Sequence, residues 1–269
     1  MAGRIGRAME QARLERRGAL IPFLTSGFPD LPESDRLAAA LCEEGADILE
    51  LGVPFSDPLA DGPVIQRTTQ QALEGGTTLA HVLGQALRLR SRFPTPLVLM
   101  TYLNPVVRYG ARKFAEDARE AGVDGVILVD LPPEEDPPVW DSIRSAGLET
   151  IALVAPTTEP ARLPAILGRA TGFLYVVARL GVTGRGGRDP GLETLLRSCR
   201  ERSSLPRCVG FGIGKETDLA VYRGLAEGVI VGSGLLAEIL AAPDVASREA
   251  AAREFMGALR AKLPVLAAA

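Results

Sequence analysis

The chain has 269 residues, 46% of them hydrophobic, and 30 Lys and Arg against 33 Asp and Glu give a net charge of -3. Basic residues are scattered and in slight deficit, which leaves no electrostatic footprint for nucleic acid. No apolar run is long enough to cross a bilayer and no apolar signal core follows Met1, so a cytoplasmic protein is expected. A single histidine, His81, leaves one possible base for a catalytic triad and too few nitrogen ligands for zinc, and its place after Thr78 suits a capping or surface role. Cys42, Cys199 and Cys208 lack the spacing of a metal knuckle or redox pair and are expected to be buried free thiols.

Apolar runs of strand length are expected in chain order at Ala19–Thr25, Asp47–Gly52, Leu97–Tyr102, Gly125–Asp130, Thr150–Ala155, Phe173–Ala178, Cys208–Gly212 and Gly228–Val231. Each is nearly all apolar, as strands covered on both faces are. Segments of helical period alternate with them, with apolar spacings such as Phe114, Ala118 and Ala121, and several end at a glycine suited to a left-handed C-cap. Glu44-Gly45-Ala46-Asp47-Ile48, Ala121-Gly122-Val123-Asp124-Gly125 and Ala146-Gly147-Leu148-Glu149-Thr150 echo one another, each ending a helix and entering a strand. Eight βα units without a linker predict one domain over residues 1–269, a (β/α)8 barrel with an extra N-terminal helix and its reactive groups at the C-terminal strand ends. An open doubly wound sheet is the alternative, but Ser26-Gly27-Phe28-Pro29-Asp30 after the first strand is not its glycine-rich dinucleotide loop.

Glu50 stands inside Ile48-Leu49-Glu50-Leu51-Gly52, where burying an ionised side chain is costly. It is either a paired or hydrogen-bonded core carboxylate or a general acid/base whose pKa an apolar pocket lifts toward neutrality. The loop that follows, Val53 to Pro63, combines three prolines with Asp57 and Asp61. Asp61 is the stronger functional candidate; Asp57 serves equally well as a turn or capping residue, and the pair is weak grounds for a magnesium site. Three glycine clusters follow late strands: Gly181-Val182-Thr183-Gly184, Gly210-Phe211-Gly212-Ile213-Gly214 and Gly232-Ser233-Gly234. Exposed backbone N–H groups with a short helix beginning at Ser233 suit a phosphate. Of three lysines, Lys113 and Lys262 lie away from the expected mouth, and Lys215 is expected in solvent at a helix start, so Schiff-base chemistry has no evident nucleophile.

The stretch Leu49-Glu50-Leu51-Gly52-Val53-Pro54-Phe55-Ser56-Asp57-Pro58-Leu59-Ala60-Asp61-Gly62-Pro63 closely resembles the signature of the tryptophan synthase alpha chain family. Shorter matches run from Pro22-Phe23-Leu24-Thr25 through Met100-Thr101-Tyr102-Leu103-Asn104-Pro105, Asp130-Leu131-Pro132 and Ala155-Pro156-Thr157 to Val231-Gly232-Ser233, so the resemblance covers nearly the whole chain. It implies a barrel lyase that cleaves indole-3-glycerol phosphate to indole and glyceraldehyde 3-phosphate. It also implies that the indole passes to a beta chain, which alone carries pyridoxal phosphate, in an α2β2 complex; the alpha chain itself uses no cofactor or metal. By this resemblance Glu50 is the acid/base and Asp61 binds the indole N–H. Phe23, Tyr102, Ile127, Val129, Leu153 and Tyr175 match the indole pocket, with Thr183 on a closing loop that orients the aspartate. Gly184, Phe211, Gly212, Gly232 and Ser233 match phosphate-binding positions, and Asp57 and Pro58 fall where the family meets its beta chain. Three departures stand out: Ala178 where many relatives carry serine, Phe28 in the first loop, and Glu227 for the usual aspartate before the last strand. The glycine-rich stretch at residues 184–188 is expected to be mobile without ligand.

Overall fold

The computed structural model describes residues 3–178, 190–210, 212–215, 217 and 219–266. Strands β1 (Ala19–Thr25), β2 (Leu49–Gly52), β3 (Leu97–Thr101), β4 (Gly125–Leu128), β5 (Glu149–Thr150), β6 (Ala152–Val154), β7 (Leu174–Val177), β8 (Arg207–Gly210) and β9 (Gly228–Val231) are all parallel, in the order β5-β4-β3-β2-β1-β9-β8-β7-β6. Every expected strand forms, though several stop one or two residues short, at the point where the chain leaves its neighbours for the mouth loops. The strand expected at Thr150–Ala155 is two pieces. β5 pairs with β4 and β6 with β7, and the chain changes partner at Ile151, whose N–H still donates to the Val126 carbonyl at 3.1 Å. This one segment joins the two ends of the sheet and closes the ring.

Eleven α-helices occur among the described residues. The extra N-terminal helix, α1 (Arg4–Leu14), buries Ile5, Met9 and Ala12, and Ile5 lies against the start of β4. The outer layer comprises α2 (Leu31–Glu43), α3 (Pro63–Glu74), α4 (Leu79–Arg90), α5 (Leu103–Tyr109), α6 (Ala111–Glu120), α7 (Pro137–Ser145), α8 (Leu163–Arg169), α9 (Pro190–Arg202), α10 (Ser233–Ala241) and α11 (Val245–Arg260). Their starts follow capping chemistry. The Asp30 carboxylate accepts from Glu33 N–H at 2.7 Å ahead of α2, and Thr78 and His81 form a reciprocal capping box at α4, which fulfils the capping role expected of the lone histidine. Gly45, Gly122 and Gly147 take positive φ between a helix and the next strand, as the helix-end glycines predict. All three cysteines are buried and free. No helix among the described residues is long and apolar enough to cross a membrane.

The echoed helix-to-strand turns have a physical meaning at the barrel floor. Asp47, ahead of β2, accepts the N–H of Leu20 in β1 at 2.8 Å and holds Arg17 through both oxygens at 2.6 and 2.8 Å. Asp124, ahead of β4, accepts the N–H of Leu97 in β3 at 3.0 Å and pairs with Arg90 at 2.6 Å and Arg4 at 3.0 Å. Glu227, ahead of β9, accepts the N–H of Arg207 in β8 at 2.8 Å and pairs with its guanidinium. In the remaining couple a hydroxyl replaces the acid, and Thr171, ahead of β7, accepts the N–H of Thr150 in β5 at 2.7 Å. The departure at Glu227 therefore keeps the tie. Glu149, the acid of the third echo, does not make it.

Candidate active site

At the C-terminal ends of the strands a cavity of about 710 Å³ opens, walled by Phe23 of β1, Glu50 of β2, Met100 of β3, Leu153 of β6 and Tyr175 of β7. Glu50 lies mid-strand, in register with Phe23 on one side and Val98 on the other, so its position is fixed by two ladders. It is 1% exposed, and neither carboxyl oxygen has a hydrogen-bond partner among the described residues. The paired or hydrogen-bonded core carboxylate is thus not what the fold builds. Burial, and then the negative charge of Asp61, push its pKa up to about 8. A carboxyl desolvated in this way keeps its proton at neutral pH.

Asp61 reaches the same cavity from the loop between β2 and α3. It does not cap α3; the N-cap is Gly62, with Pro63 at the first helical position, where its missing N–H costs nothing. Two contacts brace the loop. The Gln66 side-chain amide donates to the Asp61 carbonyl at 2.8 Å, and the Ala60 N–H donates to the Tyr102 hydroxyl oxygen at 3.2 Å. Burial lifts the Asp61 carboxyl to about 6, and hydrogen bonding with the Tyr102 phenol works in the opposite direction. Burial and the Asp61 charge together hold the phenol proton of Tyr102 firmly in place. Near pH 7, then, one carboxyl is largely protonated and its neighbour largely ionised, a division of acid and base character set by environment alone.

On the opposite wall, Gly212, Gly232 and Ser233 border the cavity, with Gly232 the N-cap and Ser233 the first residue of α10. Gly234 is required by close approach, since a β-carbon there would fall 3.0 Å from the Ile213 carbonyl oxygen. The unpaired N–H groups of a helix start favour an anion.

Over residues 9–263 the sequence matches the family described as tryptophan synthase alpha chain. The chain belongs to that family. Among its tryptophan synthase alpha chain relatives, that of Desulfosudis oleivorans is 44% identical over 247 residues, 90% of this chain and 93% of the relative. That of Xylella fastidiosa strain 9a5c is 45% identical over 262 residues, 97% and 98% of the two chains. A structure of Mycobacterium tuberculosis tryptophan synthase superposes with a TM-score of 0.88 at 36% identity, covering 98% of this chain and 99% of that one. The tryptophan synthase alpha subunit of Legionella pneumophila strain Paris gives 0.86 at 37% identity, covering 97% and 98%.

Of the residues that the tryptophan synthase alpha chain signature singles out, Glu50, Asp61, Phe23, Val129, Leu153, Tyr175, Gly212, Gly232 and Ser233 border one cavity. Ile127 and Tyr102 do not. Ile127 is fully buried in β4, two residues below Val129, and Tyr102 stands behind the loop that carries Asp61. Asp57 is exposed on the outward side of that loop and Pro58 is half-buried beside it. Thr183, Gly184 and Phe211, with residues 185–188, lie outside the described residues. Lys215 is not at a helix start in solvent; it is half-buried, paired at 3.3 Å with both Glu238 and Glu254 and placed over the Phe255 ring. Ala178 is buried just past β7, its N–H donating to the Gly210 carbonyl at 2.9 Å, so the missing hydroxyl leaves the strand end intact. Sequence reasoning missed Met100, Gln66 and Thr158 as cavity walls. Thr158 accepts from Ala155 N–H at 2.9 Å directly after the Ala155-Pro156-Thr157 match, which was the available signal.

Proposed function

We propose that this chain is the lyase half of a tryptophan synthase, cleaving indole-3-glycerol phosphate into indole and glyceraldehyde 3-phosphate by a retro-aldol step. The observation that carries the reading is the buried, unpartnered Glu50 carboxyl facing the Asp61 carboxylate across one apolar cavity. Glu50 gives its proton to indole C3, which turns the ring into an iminium electron sink. Asp61 accepts a hydrogen bond from the ring N–H and stabilises the positive charge that develops there. Glu50, now a carboxylate, takes the proton of the hydroxyl on the adjacent glycerol carbon. The carbon–carbon bond then breaks, its electron pair restores the indole, and the carbinol carbon becomes the aldehyde. A cavity of about 710 Å³ suits a substrate of this size, and the helix start at Gly232 and Ser233 suits its phosphate.

The chemistry requires no cofactor of this chain, and pyridoxal phosphate is assigned to a beta partner in an α2β2 complex in the cytoplasm. The partner surface is read at Asp57 and Pro58, next to Leu59 at the rim of the cavity. Leu59 is 94% exposed, which favours an apolar contact completed by another chain. Residues 1–269 are read as a single barrel domain. The deciding test is indole release from indole-3-glycerol phosphate by the wild-type chain and by Glu50→Gln, each alone and with a tryptophan synthase beta chain. Wild-type release that rises with the partner, with none from the variant, is expected. Turnover unchanged in Glu50→Gln would remove Glu50 from the mechanism.

A further inference from the structure

The match at Asp130-Leu131-Pro132 has no role in the cleavage described above, yet Asp130 makes one specific contact. Its Oδ1 accepts the N–H of Leu103 at 2.7 Å. Leu103 is the first residue of α5, and the N-cap residue of that helix, Tyr102, makes no side-chain capping bond of its own. Asp130, two residues beyond β4, therefore caps a helix of the neighbouring unit, and the residue directly before the amide it holds is Tyr102, whose hydroxyl accepts from Ala60 N–H at 3.2 Å. The Phe55 ring packs against Tyr102 with centroids 5.2 Å apart, which leaves the phenol little freedom once its backbone is held.

We propose that Asp130 is a positioning residue for Asp61, acting through the N–H of Leu103 and the phenol of Tyr102. This rests on the proposed lyase reading for its consequence in turnover, but not for the linkage itself. The link crosses three consecutive βα units. Asp130 fixes the start of α5, the start of α5 fixes Tyr102, and Tyr102 fixes the backbone at Ala60 and with it the neighbouring carboxylate. An N-cap acceptor stabilises a helix start enough to decide whether the first residue holds one conformation.

The test reads Asp61 directly, by carbon-13 NMR titration of aspartate-labelled chain without partner, alongside the pH dependence of kcat/KM for indole release. The ionisable groups facing Asp61 and Tyr102 are Glu50 from β2, Tyr175 from β7 and Asp130 itself. Removing the negative charge at position 130 can by itself only lower the Asp61 pKa. Releasing Tyr102 raises it, because the phenol hydrogen bond favours the carboxylate. Asp130→Ala is thus expected to raise the Asp61 pKa and to lower kcat/KM near neutral pH about fivefold. Asp130→Asn, whose amide oxygen still accepts from Leu103, is expected to stay within about twofold of wild type with no rise in pKa. In a Tyr102→Phe background, Asp130→Ala is expected to add no further rise. An unmoved or lowered Asp61 pKa in Asp130→Ala, equal effects of Ala and Asn, or additive effects with Tyr102→Phe would each overturn the proposal. An Asp61 pKa that behaves as expected in a chain that releases no indole would uphold the linkage and sink the lyase reading instead.

Discussion

The ring of Phe23 lies across the backbone of Gly52 so closely that a β-carbon built on Gly52 would fall 2.4 Å from its Cζ. Phe23 is a wall of the cavity and pairs in register with Glu50, so the glycine is the space into which the ring fits. Gly52→Ala is expected to push the ring toward the cavity, to cost about 1–3 kcal/mol in urea denaturation as overpacking does, and to lower kcat/KM for indole release. Stability and turnover both at wild-type values would show that the ring is not confined there.

Two carboxyls with separated pKa values predict a bell-shaped pH dependence. Indole release should rise as Asp61 ionises near pH 6 and fall as Glu50 loses its proton near pH 8. The two groups repel each other's charge, so the limbs are properties of the pair. In Asp61→Asn the acid limb should vanish along with most of the rate. A profile flat from pH 5 to 9 would remove acid–base chemistry by these groups.

The same burial makes a stability prediction. Folded Glu50 keeps its proton up to about pH 8, whereas in the unfolded chain it loses it near the ordinary carboxylate value of 4.5. Between these limits the folded state binds more protons than the unfolded one, so stability falls as pH rises, and the loss is complete above the folded pKa. Asp61 acts with the same sign between 3.8 and about 6. Glu50→Gln removes the larger of these linkages, so the variant should gain stability relative to wild type steadily from pH 5 to 8.5 in thermal melts. A constant difference would mean that the carboxyl is solvated.

At the opposite end of the barrel, Asp124 is 6% exposed and holds Arg4, Arg90 and the N–H of Leu97. Asp124→Ala leaves the half-buried Arg90 guanidinium without its counter-charge and should cost about 3–5 kcal/mol. Because the floor is remote from the cavity, indole release per folded molecule should not change. A loss of specific activity without a loss of stability would contradict this separation of roles.

Much of this was legible in the sequence, for physical reasons that vary by residue. Strands covered on both faces print as apolar runs, and a carboxylate inside one, Glu50, is conspicuous because water is the cheaper place for it. Ile151 was not legible, since a change of hydrogen-bonding partner leaves no mark on a run that stays apolar. Nor was the difference between Val129 and Ile127. Both lie on an apolar strand path, and only the depth of the mouth decides which meets the cavity. Tyr102 reads as an aromatic wall and serves instead as a brace, because its reach to Ala60 depends on where a loop forty residues earlier comes to rest. The echoes ahead of β2 and β4 were visible as pattern, but the echo at Glu149 carries no tie and the true fourth acceptor, Thr171, has no acidic signature.

Those four ties all run the same way, from the entrance of an even-numbered barrel strand to the first amides of the odd-numbered strand before it, counting β5 and β6 as one. Leu20 with Asp47, Leu97 with Asp124, Thr150 with Thr171 and Arg207 with Glu227 thus divide the ring into quarters, each a pair of parallel strands with its crossover, buckled at its base. The seams between quarters carry no buckle of this kind among the described residues, and the seam between the last quarter and the first is clasped on the outside instead, where Arg248 of α11 pairs with Glu33 and Arg253 with Glu43 and Glu44. A molecule built in this way behaves as four repeated modules around a common axis. Strain should open its floor along quarter boundaries, last at the one that α11 and α2 clasp, and a module can be exchanged for another of its kind as long as the buckle travels with it.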